Sequence, residues 1–340
     1  MKYSFSTLLL LSACDLSGVL DSKPEIDTTA AENQLSSGQF PNAASEYNKL
    51  LELDPTNSDA ATGAAYLAML RGDYEQADAY LEAVQKASEA PQPEILMRRS
   101  LIAQQSQELD KAKNFALESG LDSGKLLASE IMIVDGGLES AVDTLKTIKG
   151  SGFKSLADDY LELLESDDDW LVALAEIQAQ WAAGERTFAV EDAPSVLQKV
   201  SFERYARIDE IRLTWATRAL SLKKTQEATS IIELPFESLE ESQKWRVSGI
   251  KFMISCVTGD EQCITKFDAL EEIAPPQGYA DMRITTAYLL KDDNPALSRE
   301  LLADFKSASA ALVFEALGAH EDALSAAQGS SLLSNYLKEK

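Results

Sequence analysis

Three cysteines and a single histidine are the side chains of this chain best suited to chemistry at one point. Cys256 and Cys263 are separated by a short segment that contains Gly259. On one straight helix their Cα atoms would be about 10.5 Å apart, which is beyond the reach of a disulfide bond. A turn at Gly259 would instead place them on opposite arms of a helical hairpin. We therefore expect a disulfide bond, which an oxidising compartment favours; the alternative is two buried thiols.

The remaining reactive groups do not form a recognisable enzyme site. His320 is the only imidazole, so a metal site and a histidine-assisted nucleophile both lack the residues they need. Gly136-Gly137 is not followed by the Lys-Ser/Thr pair of a phosphate-binding loop. We expect no catalytic residue, no metal, no cofactor and no small-molecule substrate. A hydrolase with two carboxylates stays as an alternative, because the 56 acidic residues offer many pairs.

An acidic run, Asp167-Asp168-Asp169, stands immediately before the apolar segment Trp170-Leu171-Val172. The run lacks the alternating oxygen ligands and the glycine of a calcium-binding loop. An aspartate before an apolar helix is explained by N-capping, since its carboxylate accepts from the first free backbone N–H groups. The run therefore predicts the start of a helix rather than a metal site.

Helices must position these residues, because apolar side chains recur at helical spacing and we find no strand pattern. One pattern occurs twice at an interval of 34 residues. A glycine caps a helix end in a left-handed conformation, and an aromatic residue two positions later would fill the corner between helices. An alanine then marks their closest approach, and a larger residue faces inward. The matched pairs are Gly38 and Gly72, Phe40 and Tyr74, Ala43 and Ala77, and Tyr47 and Leu81.

This pattern resembles the tetratricopeptide repeat, in which Pro55 would close the first repeat. The resemblance implies an all-α fold, an α-solenoid of helix–turn–helix repeats. The N-terminal repeats are regular, and the later ones are degenerate. Gly136-Gly137-Leu138 and Gly318-Ala319-His320 restate parts of the signature.

Glycine and proline mark the predicted divisions of the chain. We expect an N-terminal array at 30–149 and a degenerate C-terminal array at 153–340, divided at Gly150-Ser151-Gly152. The alternative is that this segment is one loop within a continuous solenoid. Pro275-Pro276 and Gly278 predict a further break, before a helix at Met282–Leu290.

The N-terminal segment predicts how the chain is located. Residues 1–13 carry one positive charge and the run Leu8-Leu9-Leu10-Leu11, which is too short to span a bilayer and is typical of a signal peptide. Leu11-Ser12-Ala13-Cys14 resembles a bacterial lipobox. The resemblance implies cleavage before Cys14, acyl chains such as palmitate on Cys14, and a periplasm-facing, membrane-anchored lipoprotein of the cell envelope. By the same resemblance Asp15 favours the inner membrane, and the choice between the two membranes stays open.

Between anchor and repeats, residues 14–29 are polar, contain Gly18 and Pro24, and predict a flexible tether. The whole chain has a formal net charge of −25. This acidity disfavours nucleic acid as a partner. Either this acidity is only a solvated surface, or an acidic groove selects a basic partner segment.

The function class follows from the repeat resemblance. Tetratricopeptide repeats generally bind an extended peptide or a helix of another protein in their concave groove. The groove-facing positions of the second repeat are Asp59, Thr62, Tyr66 and Met69. We therefore expect a scaffold or adaptor that aids assembly of a pilus, secretion or flagellar-type machine. The alternatives are a regulator of cell-wall or polysaccharide synthesis that acts by protein contact and, least favoured, the two-carboxylate glycan hydrolase.

Overall fold

The computed structural model describes residues 27–88, 90–260, 262–303 and 305–327. Within these ranges the chain forms 19 α-helices and no β-strand, which confirms the predicted all-α solenoid. Most connections are short, and a 3-10 turn, Glu241–Gln243, precedes the fourteenth helix. The helices are α1 Thr29–Ser36, α2 Phe40–Leu53, α3 Ser58–Leu70, α4 Tyr74–Ala87, α5 Pro93–Gln105, α6 Leu109–Ser119, α7 Asp122–Val134, α8 Leu138–Leu145, α9 Ser151–Leu164, α10 Asp169–Ala183, α11 Arg186–Lys199, α12 Ile208–Ser221, α13 Thr225–Ile232, α14 Lys244–Val257, α15 Cys263–Glu271, α16 Pro276–Leu290, α17 Pro295–Leu302, α18 Ala308–Ala316 and α19 His320–Ala326.

The N-terminal helices pack in sequential pairs, with small residues where two helices meet. Ala43 on α2 and Ala77 on α4 are fully buried, and Tyr47 and Leu81 lie one turn further along the same faces and are buried too. The ring of Tyr47 lies over Gly63 of α3, where an added Cβ would come within 2.2 Å of a ring carbon. The absence of a side chain at Gly63 is what allows this close approach.

The two corner aromatics are not equivalent. Tyr74 packs partly buried against the cluster of α3, α4 and α5, whereas 38% of Phe40 is exposed. The expected corner contact is therefore weaker in the first repeat, whose leading helix α1 has eight residues and buries only Ala31. The glycines before these corners, Gly38 and Gly72, have φ values of 82° and 77°, which is the left-handed conformation expected of them.

The predicted signal peptide, Cys14 and nearly all of the predicted tether lie outside the described residues. The helical body begins with α1 at Thr29, which the sequence analysis assigned to the end of the tether. Within the described ranges, no helix combines the length and the apolar character that crossing a bilayer requires.

The loop at the predicted division of the chain is shorter than expected, because the next helix, α9, already begins within it. Gly150 is the N-cap of α9, and Ser151 and Gly152 already form its first turn. Leu126 and Leu145, before the segment, share one buried cluster with residues after it. The division at 150–153 stays a prediction, and the packing agrees with the alternative of a loop within a continuous solenoid.

A second predicted break is wrong in its extent. The helix expected at Met282–Leu290 begins already at Pro276, because a proline in the first turn of a helix costs no hydrogen bond. Gly278 lies inside this first turn. A Cβ there would come within 2.3 Å of the Trp245 ring, so the glycine provides space for a neighbouring helix rather than a break.

Cys256 and Cys263 are joined by a disulfide bond, with their Cα atoms 4.9 Å apart. Cys256 lies in the last turn of α14 and Cys263 is the first residue of α15, the hairpin arrangement on which the sequence prediction rested. The carboxylate of Asp260 holds the turn between them. It accepts from Lys266, from the Ser255 hydroxyl and from a backbone N–H, and these bonds, the one from Lys266 first, lower its pKa.

Asp168 is the N-cap of α10, as the acidic run predicts. Its carboxylate accepts from the backbone N–H of Trp170 at 3.0 Å and pairs with Arg204 at 2.8 Å. This cap fixes the start of α10, the helix whose other end reaches the groove described below.

Replacement of Ala77 by phenylalanine tests the packing of the second repeat. Because Ala77 is fully buried between helices, overfilling this site should lower the free energy of unfolding by about 1–3 kcal/mol. Ala79→Phe, at an exposed position of the same helix, is the matched control and should change the melting temperature little. Equal melting temperatures for the two variants in a thermal scan would contradict the assignment of the repeat.

Candidate functional site

A groove runs along the first helices of three successive pairs, α3, α5 and α7. Their facing residues enclose a cavity of about 350 Å³. Most of its wall is apolar, and few charged side chains reach it. The residues contributed by these three helices include Thr62, Tyr66 and Met69 from α3, Met97, Arg98, Leu101 and Gln104 from α5, and Ser123, Leu126, Leu127 and Glu130 from α7.

The C-terminal end of α10 covers part of this groove. Trp181 and Ala182 form part of the cavity wall, together with Phe153 and Leu156 of α9. The side-chain amide of Gln104 on α5 donates to the backbone carbonyl of Ala182. Two later helices, α9 and α10, therefore cover part of the groove.

Apolar packing supports this closure. Ala183, the last residue of α10, is fully buried in one cluster with Ala103 of α5 and Ala128 and Ile131 of α7. Small side chains on all three helices allow their backbones to approach closely. The contact joins parts of the chain that are about 80 residues apart, as the hydrogen bond from Gln104 to Ala182 spans 78 positions.

Three of the four predicted partner-binding residues line the cavity: Thr62, Tyr66 and Met69. Asp59 does not line it, because it lies exposed in the first turn of α3. Burial raises the pKa of Tyr66, so its hydroxyl stays neutral and can donate a hydrogen bond. That these residues contact a partner stays a prediction.

Glu130 is the one carboxylate among the described residues that line this cavity. It is half-buried, and its Oε1 accepts from the hydroxyl of Tyr160 on α9 at 3.2 Å. Burial raises the pKa of Glu130 to about 7, against a smaller lowering by the hydrogen bond. The carboxyl therefore changes charge near neutral pH.

Arginine and tryptophan side chains stack on one another at the cavity wall, which Trp181 and Arg186 help to form. The rings of Trp181 and Trp215 meet edge to face with centroids 5.9 Å apart. The guanidinium of Arg218 lies 4.7 Å from each centroid, and that of Arg186 lies 5.5 Å from Trp181. Burial lowers the pKa of Arg218 to about 10 and lowers that of Arg186 as well.

These charges differ from those of the protein as a whole. The cavity is lined by two cationic side chains, Arg98 and Arg186, and by one carboxyl, Glu130, although the chain has a net charge of −25. This cavity is therefore not the acidic groove that the net charge suggested. Its wall is mostly apolar, and Arg98, Arg186 and Glu130 are the charged side chains among the described residues that line it.

The described residues of this cavity do not include the sets of side chains that metal binding or two-carboxylate hydrolysis would need. The described part of the chain contains no cluster of three or more His, Cys, Asp or Glu side chains able to hold a metal ion. Glycoside hydrolysis needs a second carboxylate opposite the first, and Glu130 has none beside it in the cavity wall. His320 lies in α19, where its Nδ1 is 3.0 Å from Glu315.

Most of the residues that line this cavity were not predicted from the sequence. On α5 and α7, the face that corresponds to the groove face of α3 carries Met97, Leu101, Leu126 and Glu130. Extending the groove positions from α3 to these two helices would therefore have predicted all four residues. Trp181 had no such signal, because its place depends on a contact between helices that are far apart in the chain.

Residues 34–104 match the family model described as tetratricopeptide repeat. This chain contains a tetratricopeptide-repeat segment. The matched range runs from the end of α1 to the last turn of α5, and so includes the part of the groove formed by Tyr66, Met69, Met97 and Leu101. Such repeats are typical of scaffolds for protein–protein interaction. A comparison with curated proteins finds no match to this chain.

Glu130→Gln tests the environment of the buried carboxyl. Between about pH 4.5, the ordinary value, and about pH 7 the folded protein holds a proton that the unfolded chain releases, so this group lowers stability as pH rises through that window. Glutamine stays neutral and can still accept from Tyr160. Relative to the parent, the variant should gain on the order of 1 kcal/mol at pH 8 and little near pH 4.5.

The measurement is thermal or denaturant unfolding of both proteins at the two pH values. Glu118→Gln, at an exposed position of α6, is the control and should show no such pH-dependent gain. A stability difference between Glu130→Gln and the parent that does not change with pH would show that Glu130 ionises as in water.

Proposed function

We propose that this protein is a lipid-anchored scaffold on the periplasmic side of a bacterial cell envelope. It binds a segment of another envelope protein in the groove of α3, α5 and α7, and so aids assembly of a pilus, secretion or flagellar-type machine. The observation that carries the binding role is the partly covered groove within and beside the repeat segment, which Tyr66, Met69, Met97 and Leu101 all line.

The apolar character of this groove supports a protein segment as its occupant. Methionine side chains adapt their shape to a partner, and a tyrosine supplies contact area together with a hydroxyl. We propose that the protein is not an enzyme, since its one cavity carboxyl has no catalytic partner beside it among the described residues.

The envelope location rests on the first fourteen residues. Leu11-Ser12-Ala13-Cys14 is the sequence that supports an acylated Cys14, and two or more acyl chains give stable membrane attachment. The Cys256–Cys263 disulfide supports an oxidising compartment such as the periplasm. The proposal names no choice between inner and outer membrane.

Crosslinking in intact cells, followed by pull-down of the full chain, tests the partner. We expect one dominant envelope protein, whose yield falls at least about fivefold when Tyr66→Glu and Met69→Lys are combined, because charges in an apolar contact must be desolvated. The matched control combines Ala79→Glu and Ala83→Lys, at exposed positions of α4. Recovery of no specific protein, or equal loss in both double variants, would contradict the groove as the binding site.

Fatty-acid labelling of cells tests the anchor. The parent chain should incorporate labelled palmitate and sediment with membranes, whereas Cys14→Ser should do neither, because the acceptor sulfur is gone. Cys256→Ser, which keeps Cys14, is the control and should stay labelled. Palmitate incorporation by the Cys14→Ser chain would refute the lipobox interpretation.

A further inference from the structure

The first six residues of α9 lie over the cavity, and we call this segment, residues 151–156, the flap. Phe153 and Leu156 of the flap line the cavity, yet they are 38% and 49% exposed. All six residues are exposed, and the first buried position of α9 is Ala157. The flap therefore covers the cavity on one side and faces solvent on the other.

The local sequence makes the flap a weak helix start. Gly150 is the N-cap of α9 and offers no side-chain hydrogen bond, and no acidic residue stands in the first turn. Gly152 lies within that turn, and glycine favours a helix less than any residue except proline. Helix ends with few buried contacts open locally at a lower free-energy cost than the core does.

Two carboxylates of α7 hold α9, one on each side of the flap. Asp122, the first residue of α7, accepts from the backbone N–H groups of Lys149 at 3.1 Å and Gly150 at 2.6 Å. Glu130, about two turns later on α7, accepts from the Tyr160 hydroxyl at 3.2 Å. The chain is thus attached to α7 before the flap and after it, while the flap itself buries no residue.

The two attachments respond differently to pH. Hydrogen bonds from the Gly150 and Lys149 backbone lower the pKa of Asp122, so this carboxylate stays ionised near neutral pH. Burial raises the pKa of Glu130 to about 7. An ionised carboxylate in an apolar wall is poorly hydrated, and an open flap would admit water to it. Ionisation of Glu130 therefore favours the open flap.

The other ionisable groups around the described cavity wall keep one charge state between pH 6 and pH 8. Of the helices packed against α7, α5 and α9 bring such groups toward Glu130, whereas α6, α8 and α10 contribute none to the described wall. The groups are Arg98 of α5, Tyr160 of α9, Tyr66 of α3, Arg186 at the start of α11, and Arg218 of α12, which acts on Tyr160. Glu130 is consequently the group that changes.

We propose that the flap is a gate over the groove that opens as Glu130 ionises, so that the groove is covered at acidic pH and accessible above neutral pH. Asp122 holds the chain at Gly150 in both states, and the buried Ala157 fixes the other end. Opening is a local loss of the first turns of α9. Control of partner entry by this gate rests on the proposed scaffold function, whereas the motion of the flap does not.

Hydrogen–deuterium exchange of the purified full chain at pH 6 and pH 8 tests the gate, with rates corrected for the intrinsic pH dependence of amide exchange. Protection of the amides of residues 154–157 should fall about tenfold, because the carboxyl changes from a pKa of about 7 when covered to the ordinary 4.5 when hydrated. Amides at the start of α6, residues 112–115, should show no such fall. Amides of α12 report global unfolding and should stay more protected.

Two substitutions separate the pH response from the flap itself. Glu130→Gln should remove the fall in protection, whereas the exposed control Glu118→Gln should keep it. Gly152→Ala should raise protection of the flap several-fold at both pH values and leave the fall intact. Alanine favours the helix, and no atom lies within 4 Å of the added Cβ.

Three results would each overturn the proposal. The flap amides could keep the same protection at both pH values, the Glu130→Gln chain could respond to pH like the parent, or the flap could exchange no faster than α12, which would make the opening global. A pH-dependent flap with no protein captured in cells would refute the proposed scaffold role alone. Capture of a partner without a pH-dependent flap would refute this inference alone.

Discussion

The packing of α10 against α7 and α5 is the contact on which the candidate site depends. Repeats of this type bury their apolar faces mainly against the next helix in the chain, and such contacts alone leave a concave groove open to water. Here Ala183 enters the cluster of α5 to α7, and the amide of Gln104 reaches the carbonyl of Ala182. The groove is consequently partly covered, and charges within it are screened less than they are at the open surface.

Small side chains make this arrangement possible. Ala43 and Ala77 allow close helix pairs in the repeats, and Ala103 and Ala128 allow the same for the returning α10. A larger residue at any of these points would separate backbones, and the loss of contact would extend to the neighbouring helices. The same property that stabilises the repeat segment therefore also fixes the shape of the cavity.

More of the fold than of the candidate site could be predicted from the sequence. Gly38, Gly72 and the residues that follow them repeat at a fixed interval, and local cap and packing chemistry determines a helix pair of this kind. The helix start at Pro276 was misjudged, because proline and glycine in a first helical turn look like a break when the packing of Gly278 against Trp245 is unknown. The wall formed by Trp181 and Arg186 depends on which distant helices meet, and no local pattern records that.

The charged residues of the cavity could not be predicted from the sequence either. A chain with 56 acidic residues suggests an acidic groove, but composition says nothing of which side chains a particular pocket collects. Arg98 and Glu130 become neighbours of one cavity only because α5 and α7 present the same face, and Arg186 joins them because it follows the end of α10. Which charged side chains meet at this cavity is therefore a property of the packing.

A cysteine pair at Gln104 and Ala182 tests the closure of the groove most directly. In the Gln104→Cys, Ala182→Cys double variant, the two positions should be joined within one chain by a short thiol crosslinker, seen as a mobility shift and confirmed by mass spectrometry of the linked peptides. The pair Gln104→Cys, Ala79→Cys, with its second cysteine exposed on α4, should stay unlinked under the same conditions. If the first pair links no more than the second, α10 does not cover the groove, and the cavity would have to be abandoned as the candidate binding site.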